Sequence, residues 1–345
     1  MYTSLMSVLY RTYRPQKWAE VIGQDHIVSV LQSALDNNKV AHAYLFSGSR
    51  GTGKTTTARI FARALGTADE DVYEIDAASN RGIDDIRHLR EHVSVSPFSS
   101  KYKVYIIDEV HMLSKDAWNA LLKTLEEPPA HVIFILATTE LDKVPETIIS
   151  RCQTFTFRRP TREILAKQIA TVAKKEGYTL DAGAADLVAL LGDGSFRDAL
   201  GILQKVISTS ADTKITRPEV EKITGAPQAS LVNSFVAAVI AKNIDEALSV
   251  LTQVQEANTS ISTFTMLILE KLRYILLTQH SVSSHASIQG RVSPDDWTFI
   301  STQAGKKALT PATLTLFLEA AEAIGRAKID VLPLEMAVVK VGSTI

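Results

Sequence analysis

The chain has 345 residues and a mass of 37.7 kDa, a length that favours two or three domains over one. Apolar residues make up 46% and charged residues 22%, which excludes an intrinsically disordered or collagen-like chain. The 37 Lys and Arg and 38 Asp and Glu give a net charge of −1, which excludes a globally basic nucleic-acid coat but not a local basic patch. The single cysteine, Cys152, cannot form an internal disulfide or a Cys-based zinc site.

The sequence also contains no signal for a membrane. No apolar signal-peptide core precedes Arg11 and Arg14. The most apolar stretch, residues 264–277, is interrupted by Glu270, Lys271 and Arg273. We therefore expect a protein of the cytosol with no membrane partner.

Short apolar runs alternate with helical stretches over the first half of the chain. Nearly unbroken apolar strands separated by helices predict a mainly parallel sheet that is covered by helices on both faces. The predicted strands are residues 43–47, 72–76, 103–108, 132–137 and 154–157, and the helices between them include 55–65 and 114–125.

The strand signals stop after Pro160, where Thr161 is predicted to cap the next helix. A turn around residues 192–194 should precede a helix over 196–207. The Ser- and His-rich stretch 281–290 predicts an exposed loop. We therefore predict an α/β domain over residues 1–159, a helical bundle over 160–224 and a further helical domain over 225–345.

A phosphate-binding loop is the most specific motif in the sequence. Residues 48–55 fit G-x-x-x-x-G-K-[ST] between a predicted strand and a predicted helix. Backbone N–H groups in such a loop point at one anion, and the helix N-terminus adds a partial positive charge. We expect Lys54 to reach the β- and γ-phosphates and the Thr55 hydroxyl to bind Mg²⁺. The alternative is a glycine-rich turn with a surface lysine. The residues expected to bind the nucleotide are Gly48, Ser49, Arg50, Gly51, Thr52, Gly53, Lys54, Thr55 and Thr56.

The third predicted strand ends in two acidic residues, Asp108 and Glu109. In a parallel sheet they lie at the same edge as the phosphate loop. We expect Asp108 to hold Mg²⁺, directly or through water, and Glu109 to orient and polarise the attacking water, because phosphoryl transfer depends mainly on placement and charge. Alone, the pair is equally consistent with a strand that ends in solvated carboxylates.

Four motifs carry a family resemblance: the phosphate loop, the run 108–113, the Lys-Thr-Leu-Glu-Glu-Pro-Pro run 123–129 and the triplet Ser150-Arg151-Cys152. Together they resemble the clamp-loader ATPases of the AAA+ class, and among them the gamma/tau subunits of bacterial DNA polymerase III. The resemblance is dense over residues 10–205 and weak after about residue 225. It implies an AAA+ ATP-binding α/β domain at 1–159, an all-α lid at 160–224 and an all-α, oligomerising collar at 225–345.

The resemblance implies roles for residues outside the phosphate loop. Thr139 matches sensor 1, Arg197 matches sensor 2 and Arg151 matches the arginine finger that acts in trans on a neighbouring subunit's ATP. Tyr13 and Ile22 lie in the stretches that resemble the nucleotide-base region. Each of these three roles has a plainer alternative. Thr139 is then an ordinary threonine at a strand end. Arg197 pairs with Asp198 or caps a helix, and Arg151 lies in a surface ion pair.

The function implied is ATP hydrolysis that loads a sliding clamp onto primer–template DNA, within a DNA polymerase III holoenzyme in the cytoplasm at the nucleoid. The implied partners are delta, delta-prime and further gamma/tau copies, the clamp and DNA. The alternatives are a branch-migration or helicase-loading AAA+ motor, and a non-hydrolysing stator of the same complex. The intact phosphate loop and acidic pair speak against the stator.

Two further expectations come from the resemblance. The family's four zinc-binding cysteines have no counterpart in residues 64–72, so ATP and Mg²⁺ are expected and zinc is not. DNA would be tracked through its phosphates by a few cations per subunit. Arg81, Arg87, Lys101 and Lys115 are the candidates, and for each of them a solvated surface charge is the alternative.

Overall fold

The computed structural model describes residues 8–80, 82, 86, 89, 91–257, 259–289 and 292–343. The chain divides into two compact units. The first comprises residues 1–165 and 192–201, and the second comprises residues 166–191 and 202–345. The three-domain division predicted from the sequence stays a prediction.

The first unit is built on a sheet with the spatial order β2-β3-β4-β1-β5. All neighbouring strands are parallel, which confirms the predicted sheet. The strand predicted at 132–137 is one residue longer, and the strand predicted at 154–157 begins and ends one residue earlier. The strands are β1 (Ala43–Ser47), β2 (Val72–Asp76), β3 (Lys103–Asp108), β4 (Val132–Thr138) and β5 (Gln153–Thr156).

Helices between these strands match the predicted ones within one residue. The helix after the phosphate loop begins at Lys54, and the helix predicted at 114–125 begins after Ser114, whose Oγ accepts the N–H of Ala117 at 3.2 Å. Such an N-cap satisfies a backbone donor that the helix itself leaves free. The α-helices with described bounds in this part of the chain are α1 (Leu9–Thr12) and α2 (Asp25–Asp36), which precede β1, and α3 (Lys54–Ala64), α4 (Lys115–Glu126) and α5 (Glu146–Ile149).

Successive side chains of the central strands enter two different cores, because side chains alternate between the two faces of a sheet. On one face, Tyr44 and Phe46 pack in a cluster with Leu31 of α2 and Phe61 of α3. On the other face, Leu45 packs in a cluster that contains residues of α4. Both faces of β1, β3 and β4 are therefore buried, as the near-continuous apolar runs predict.

The rest of the chain is mainly helical, with one departure from the all-α prediction: β6 and β7 form a short parallel pair. Two residues per strand are too few to show a period-2 pattern in the sequence. The elements are α6 (Arg162–Lys175), β6 (Thr179–Leu180), α7 (Ala182–Leu191), α8 (Phe196–Thr209), β7 (Lys214–Ile215), α9 (Arg217–Thr224), α10 (Ala229–Ile240), α11 (Ile244–Glu256), α12 (Ile261–His280), α13 (Ser284–Gln289), α14 (Pro294–Gly305), α15 (Pro311–Ala323) and α16 (Leu332–Ser343).

Two local predictions in this half have different outcomes. The predicted cap at Thr161 is confirmed, since its Oγ1 accepts the N–H of Ile164 at 3.3 Å. The loop predicted at 281–290 is wrong, because α13 lies within it. Ile288 is buried there, and the His285 ring packs edge-on to Trp297 at 5.8 Å. These tertiary contacts stabilise a helix in a stretch whose polar composition predicts a loop.

The second unit has one large apolar cluster to which residues of α10, α11, α12, α15 and α16 contribute. Phe235 lies edge-on to Phe264 and Phe317, with ring centroids at 5.4 and 5.8 Å. Edge-to-face pairs of this kind add to the free energy gained by burial alone.

A buried ion-pair network also joins three helices of this unit. Lys271 Nζ of α12 lies 2.5 Å from Asp296 Oδ1 of α14, and the guanidinium of Arg217 on α9 lies 2.7 Å from Asp296 Oδ2. Burial lowers the pKa of Lys271, and the charge of Asp296 opposes that shift. Removing Asp296 alone would take the carboxylate partner away from the buried Lys271 ammonium.

Among the described residues, no single helix is long and apolar enough to cross a membrane. The helices α9 and α10, bent by 93° at the break between them, meet the length and composition criteria only as a pair.

A buried carboxylate holds one loop of the first unit in place. Asp71, just before β2, is fully buried and accepts the N–H groups of Phe98, Ser99 and Ser100 at 2.6, 3.0 and 2.9 Å. Burial acts to raise the pKa of Asp71, but these donors outweigh it and hold the pKa at about 2. The loop thereby keeps Phe98, which is 86% exposed, on the surface.

We predict that Asp71→Ala lowers the free energy of unfolding by about 1–3 kcal/mol, because three N–H groups lose their acceptor. The carboxylate has a lower pKa folded than unfolded, so its stabilisation is complete above pH about 4 and is lost as the pH falls toward about 2. Denaturant titrations across this range test both effects. Exposed Glu70→Ala is the control; equal effects of the two variants would contradict the assignment.

Candidate functional site

The phosphate loop connects β1 to α3, and its geometry requires glycine at two positions. Gly48 has φ +146°, and a Cβ there would lie 2.6 Å from the carbonyl oxygen of Phe157. Gly51 has φ +74°, and a Cβ there would lie 1.9 Å from Ser195 Oγ. Any larger residue would therefore displace the backbone that packs against the loop.

The Lys54 side chain is turned into the loop and is only 6% exposed. Its Nζ donates to the carbonyl oxygens of Gly48 at 2.7 Å and Ser49 at 3.0 Å. Burial lowers the pKa of Lys54, while the charges of Glu109 and Asp108 act to raise it. The ammonium thus rests against carbonyl groups of the loop, where a phosphate oxygen is a stronger acceptor.

Thr55 and Asp108 meet at the carboxyl edge of the sheet, as the sequence predicts. The Thr55 hydroxyl donates to Asp108 Oδ2 at 2.6 Å. These are hard oxygen donors, the type that Mg²⁺ prefers, and Mg²⁺ usually takes its other ligands from phosphate and water. The two residues therefore fit a Mg²⁺ that is bound together with a triphosphate.

No metal-binding group of three or more His, Cys, Asp or Glu side chains occurs among the described residues. A metal at Thr55 and Asp108 would thus depend on ligands from outside the chain. The expectation that zinc is not bound stays a prediction.

Glu109 follows β3 with a left-handed backbone, φ +50°, which costs about 1–2 kcal/mol for a residue other than glycine. Its Oε2 accepts the Thr139 hydroxyl at 2.9 Å. The expected water-orienting carboxylate and the expected sensor 1 residue are therefore in direct contact. His111 lies beside them, with Nδ1 3.5 Å from Glu109 Oε2.

Arg197 also lies near the phosphate loop. The N–H of Phe196 donates to the Gly51 carbonyl at 3.1 Å, which ties the start of α8 to the loop. The Arg197 guanidinium is 5.7 Å from the centre of the Tyr10 ring. Burial lowers the pKa of Lys54 most, and the charge of Arg197 lowers it further. The predicted neighbourhood of Arg197 and the phosphate loop is thus present.

Arg151 makes its hydrogen bonds away from the phosphate loop. Its guanidinium donates to Glu126 Oε1 at 2.8 Å, to the Thr147 carbonyl at 2.7 Å and to Ser150 Oγ at 3.3 Å. The ion pair with Glu126 is partly exposed on both sides. Neighbouring Cys152 packs beside the core, and burial raises the pKa of its thiol to about 12, so the thiol is inert at neutral pH.

Comparison with known proteins identifies the family. The chain is 46% identical over 266 residues to the DNA polymerase III subunit tau of Bacillus subtilis, a match that covers 71% of this chain and 47% of the relative. It is 36% identical over 338 residues to the gamma/tau subunit of Mycobacterium tuberculosis, covering 91% of this chain and 58% of the relative. The chain belongs to the DNA polymerase III gamma/tau family. It spans about half the length of the curated relatives it matches.

Two further comparisons each match part of the chain. The family model described as DNA polymerase III, delta subunit, matches residues 23–80 and 68–161. The RuvB Holliday junction branch migration motor of Thermotoga maritima superposes with a TM-score of 0.53 at 22% identity, over 66% of this chain and 79% of RuvB. That likeness shows the AAA+ fold alone.

Four further residues predicted to bind the nucleotide take no part in the contacts described above: Tyr13, Ile22, Arg50 and Thr56. Tyr13 follows α1, and its N–H donates to the Leu9 carbonyl at 2.9 Å. Ile22 is 37% exposed and Arg50 is exposed. Thr56, next to Thr55, accepts a hydrogen bond from Arg14 Nε at 2.9 Å.

The DNA candidates are only partly placed. Lys101 is exposed, with Nζ 4.8 Å from the centre of the Tyr102 ring. Lys115 is the exposed first residue of α4. Arg81 and Arg87 lie outside the described residues, so the predicted DNA surface stays a prediction.

Several residues of the site are missing from the sequence-based prediction. Arg14 and Ser195 contact the phosphate loop region from distant parts of the sequence. Their signal is that Arg14 follows Tyr13 and Ser195 comes two residues before Arg197, in stretches that carry the resemblance. His111 and Glu140 have a weak signal, since each comes one or two residues after a predicted site residue. A polar residue so close to a strand end is often drawn into the site that the strand ends form.

We predict that Gly51→Ala weakens nucleotide binding and destabilises the first unit, because the new Cβ displaces Ser195 and the start of α8. Gly66→Ala is the control, since Gly66 has φ +77° with no atom within 4 Å of an added Cβ. It should cost only the backbone strain of about 1–2 kcal/mol. Denaturant unfolding and nucleotide titration of both variants test this. The prediction is wrong if Gly51→Ala is as stable as Gly66→Ala and binds nucleotide with wild-type affinity.

Proposed function

We propose that this chain is an ATP-hydrolysing motor subunit of the replicative clamp loader, which opens a ring-shaped sliding clamp and places it on primer–template DNA. The contact between the Thr55 hydroxyl and Asp108 at 2.6 Å carries the proposal. It joins the phosphate loop to the acidic strand end, as Mg²⁺-dependent nucleotide hydrolysis requires. The names of the gamma/tau relatives support the assignment to DNA polymerase III.

The phosphate loop binds the triphosphate through its backbone N–H groups and the N-terminus of α3. Lys54 exchanges the carbonyl oxygens of Gly48 and Ser49 for phosphate oxygens. Thr55 and Asp108 would hold Mg²⁺, which when bound would neutralise charge on the phosphates. Arg197 adds a further cation from the start of α8 in the same chain.

Hydrolysis needs a water in line with the γ-phosphate. Glu109 accepts a hydrogen bond from that water, which orients and polarises it. Thr139, now bonded to Glu109, can also donate to the water or to the γ-phosphate. The carboxylate and the hydroxyl thus act as a unit at the ends of β3 and β4.

Arg151 acts on the ATP of a neighbouring subunit. Its ion pair with Glu126 is partly exposed, and exposed pairs of this type contribute little to stability. A phosphate oxygen of the adjacent subunit can therefore replace Glu126. The guanidinium then stabilises the charge that develops in the transition state.

The exposed apolar surface of α16 supports assembly with further copies. One face of α16 is buried, while Leu332, Met336 and Val339 are 41%, 50% and 47% exposed. Their spacing places them together on one side of the helix. We propose that another copy of this chain covers this apolar strip, and that residues 225–345 form the collar and 160–224 the lid.

The wider assembly consists of delta, delta-prime, further gamma/tau copies, the clamp and DNA. The chain is thereby part of a DNA polymerase III holoenzyme, acting in the cytoplasm at the nucleoid, without polymerase activity of its own. Lys101 and Lys115, with Arg81 and Arg87, would track DNA phosphates. The likeness to RuvB is one of fold and does not favour branch migration. The presence of Lys54, Thr55, Asp108 and Glu109 argues against a non-hydrolysing stator.

We predict that Arg151→Ala leaves ATP binding intact but lowers DNA-stimulated hydrolysis in the assembled loader by about 1,000-fold or more, since an arginine finger supplies rate and not ground-state affinity. Nucleotide titration and steady-state hydrolysis with clamp and primed DNA measure the two effects. Lys54→Ala is the opposite control, because it should lose nucleotide binding itself. Normal stimulated turnover in Arg151→Ala would exclude the role in trans.

We predict that Met336→Glu weakens self-association by about 10-fold or more, because an unpaired charge is costly in an apolar contact. Sedimentation equilibrium of the purified chain over a concentration series measures this. The matched control is Val282→Glu, which places the same charge on an 82% exposed position and should leave the mass distribution unchanged. Equal self-association of both variants would rule out the α16 strip as the contact.

A further inference from the structure

His111 is a buried polar residue of the site to which the proposed chemistry gives no role. Its side chain is 6% exposed. Nδ1 lies 3.0 Å from Thr138 Oγ1 and 3.5 Å from Glu109 Oε2. Nε2 lies 3.3 Å from Glu140 Oε1. Both ring nitrogens are thus engaged, and the ring lies between two carboxylates.

The contacts of His111 bracket the sensor 1 position. Thr138 and Glu140 are the two neighbours of Thr139, and they are also bonded to each other, since the N–H of Glu140 donates to Thr138 Oγ1 at 3.0 Å. Thr139 itself donates to Glu109. The ring therefore fixes the strand end on both sides of the hydroxyl that holds Glu109.

The backbone of Glu109 needs such support. Its left-handed conformation is strained, and strained residues keep their geometry only where their surroundings hold them. The Met112 N–H bonds to the Glu109 carbonyl at 2.9 Å, which places His111 within the same short turn. His111 thus links the turn that carries Glu109 to the end of β4 that carries Thr139.

We infer that His111 is a positioning residue for the water-orienting carboxylate of Glu109. This inference rests on the proposed function, because it acts only through a Glu109 that takes part in hydrolysis. The ring does not touch the nucleotide. It sets the distance between Glu109 and Thr139, so its loss should impair turnover and leave nucleotide binding intact.

The principal test is His111→Leu, which removes all three polar contacts of the ring with little change in volume. In the loader assembled with clamp and primed DNA, kcat should fall by about 10- to 100-fold, the effect expected when a reacting group is misplaced. The Kd for ATP should not change. The control is Lys143→Ala, which removes only a surface partner of Glu140 and should keep wild-type kcat.

Two conservative variants separate positioning from general support. The amide of Asn lies as many bonds from Cα as Nδ1 does, whereas the amide of Gln reaches the depth of Nε2. His111→Asn should keep the contact to Thr138 and recover most of the lost kcat, and His111→Gln should recover less. If His111→Leu fails to fold, the Asn and Gln variants are compared with wild type instead.

Three outcomes would overturn the inference: wild-type kcat in His111→Leu, equal kcat in the Asn and Gln variants, or a parallel loss of kcat and ATP affinity without rescue by Asn. Glu109→Gln separates this failure from failure of the proposed function. If Glu109→Gln abolishes hydrolysis while His111→Leu does not impair it, only the role of His111 is wrong. If Glu109→Gln hydrolyses ATP normally, both proposals are wrong.

Discussion

The parallel pairing of β1, β3 and β4 is the constraint on which the candidate site depends. Ser47 of β1 is opposite Thr138 of β4, and Ile107 of β3 is opposite Leu136. Because all three strands run the same way, their carboxyl ends form one edge. The phosphate loop, the acidic pair and Thr139 follow these ends. Both faces of the strands are buried, so a slip in register would turn apolar side chains to the wrong core.

The charged side chains at this edge are hydrogen-bonded to neutral groups of the chain itself. Lys54 rests on loop carbonyls, the Thr55 hydroxyl on Asp108 and the Thr139 hydroxyl on Glu109. Each of these bonds joins groups that the proposed reaction would redirect to phosphate, Mg²⁺ or water. The loop is therefore held by internal hydrogen bonds, and a triphosphate bound as proposed would exchange these bonds for bonds to its own oxygens. Such preorganisation lowers the cost of binding.

The sequence predicts the elements that carry strong local signals and misses those that depend on tertiary contacts. The strands of the first unit appear within one residue of their predicted bounds, because each is an apolar run long enough to cross a buried sheet. The helix α13 is missed, since only the burial of Ile288 reveals it. The phosphate loop and Asp108 are found from spacing alone. The link from His111 to Thr138 joins distant positions in the sequence, and only the β3–β4 register brings them together.

The two arginines of the site differ in what holds them, and this difference suits their proposed roles. Arg197 follows Phe196, whose N–H is bonded to the phosphate loop, so its backbone lies beside the proposed nucleotide site of its own chain. Arg151 is held by a partly exposed carboxylate, a partner that it can leave at a small cost in free energy. A triphosphate carries more negative charge than Glu126 and accepts two hydrogen bonds from a guanidinium. The nucleotide of a neighbouring subunit would therefore replace Glu126 as the partner of Arg151. Assembly would then change the partner of this arginine.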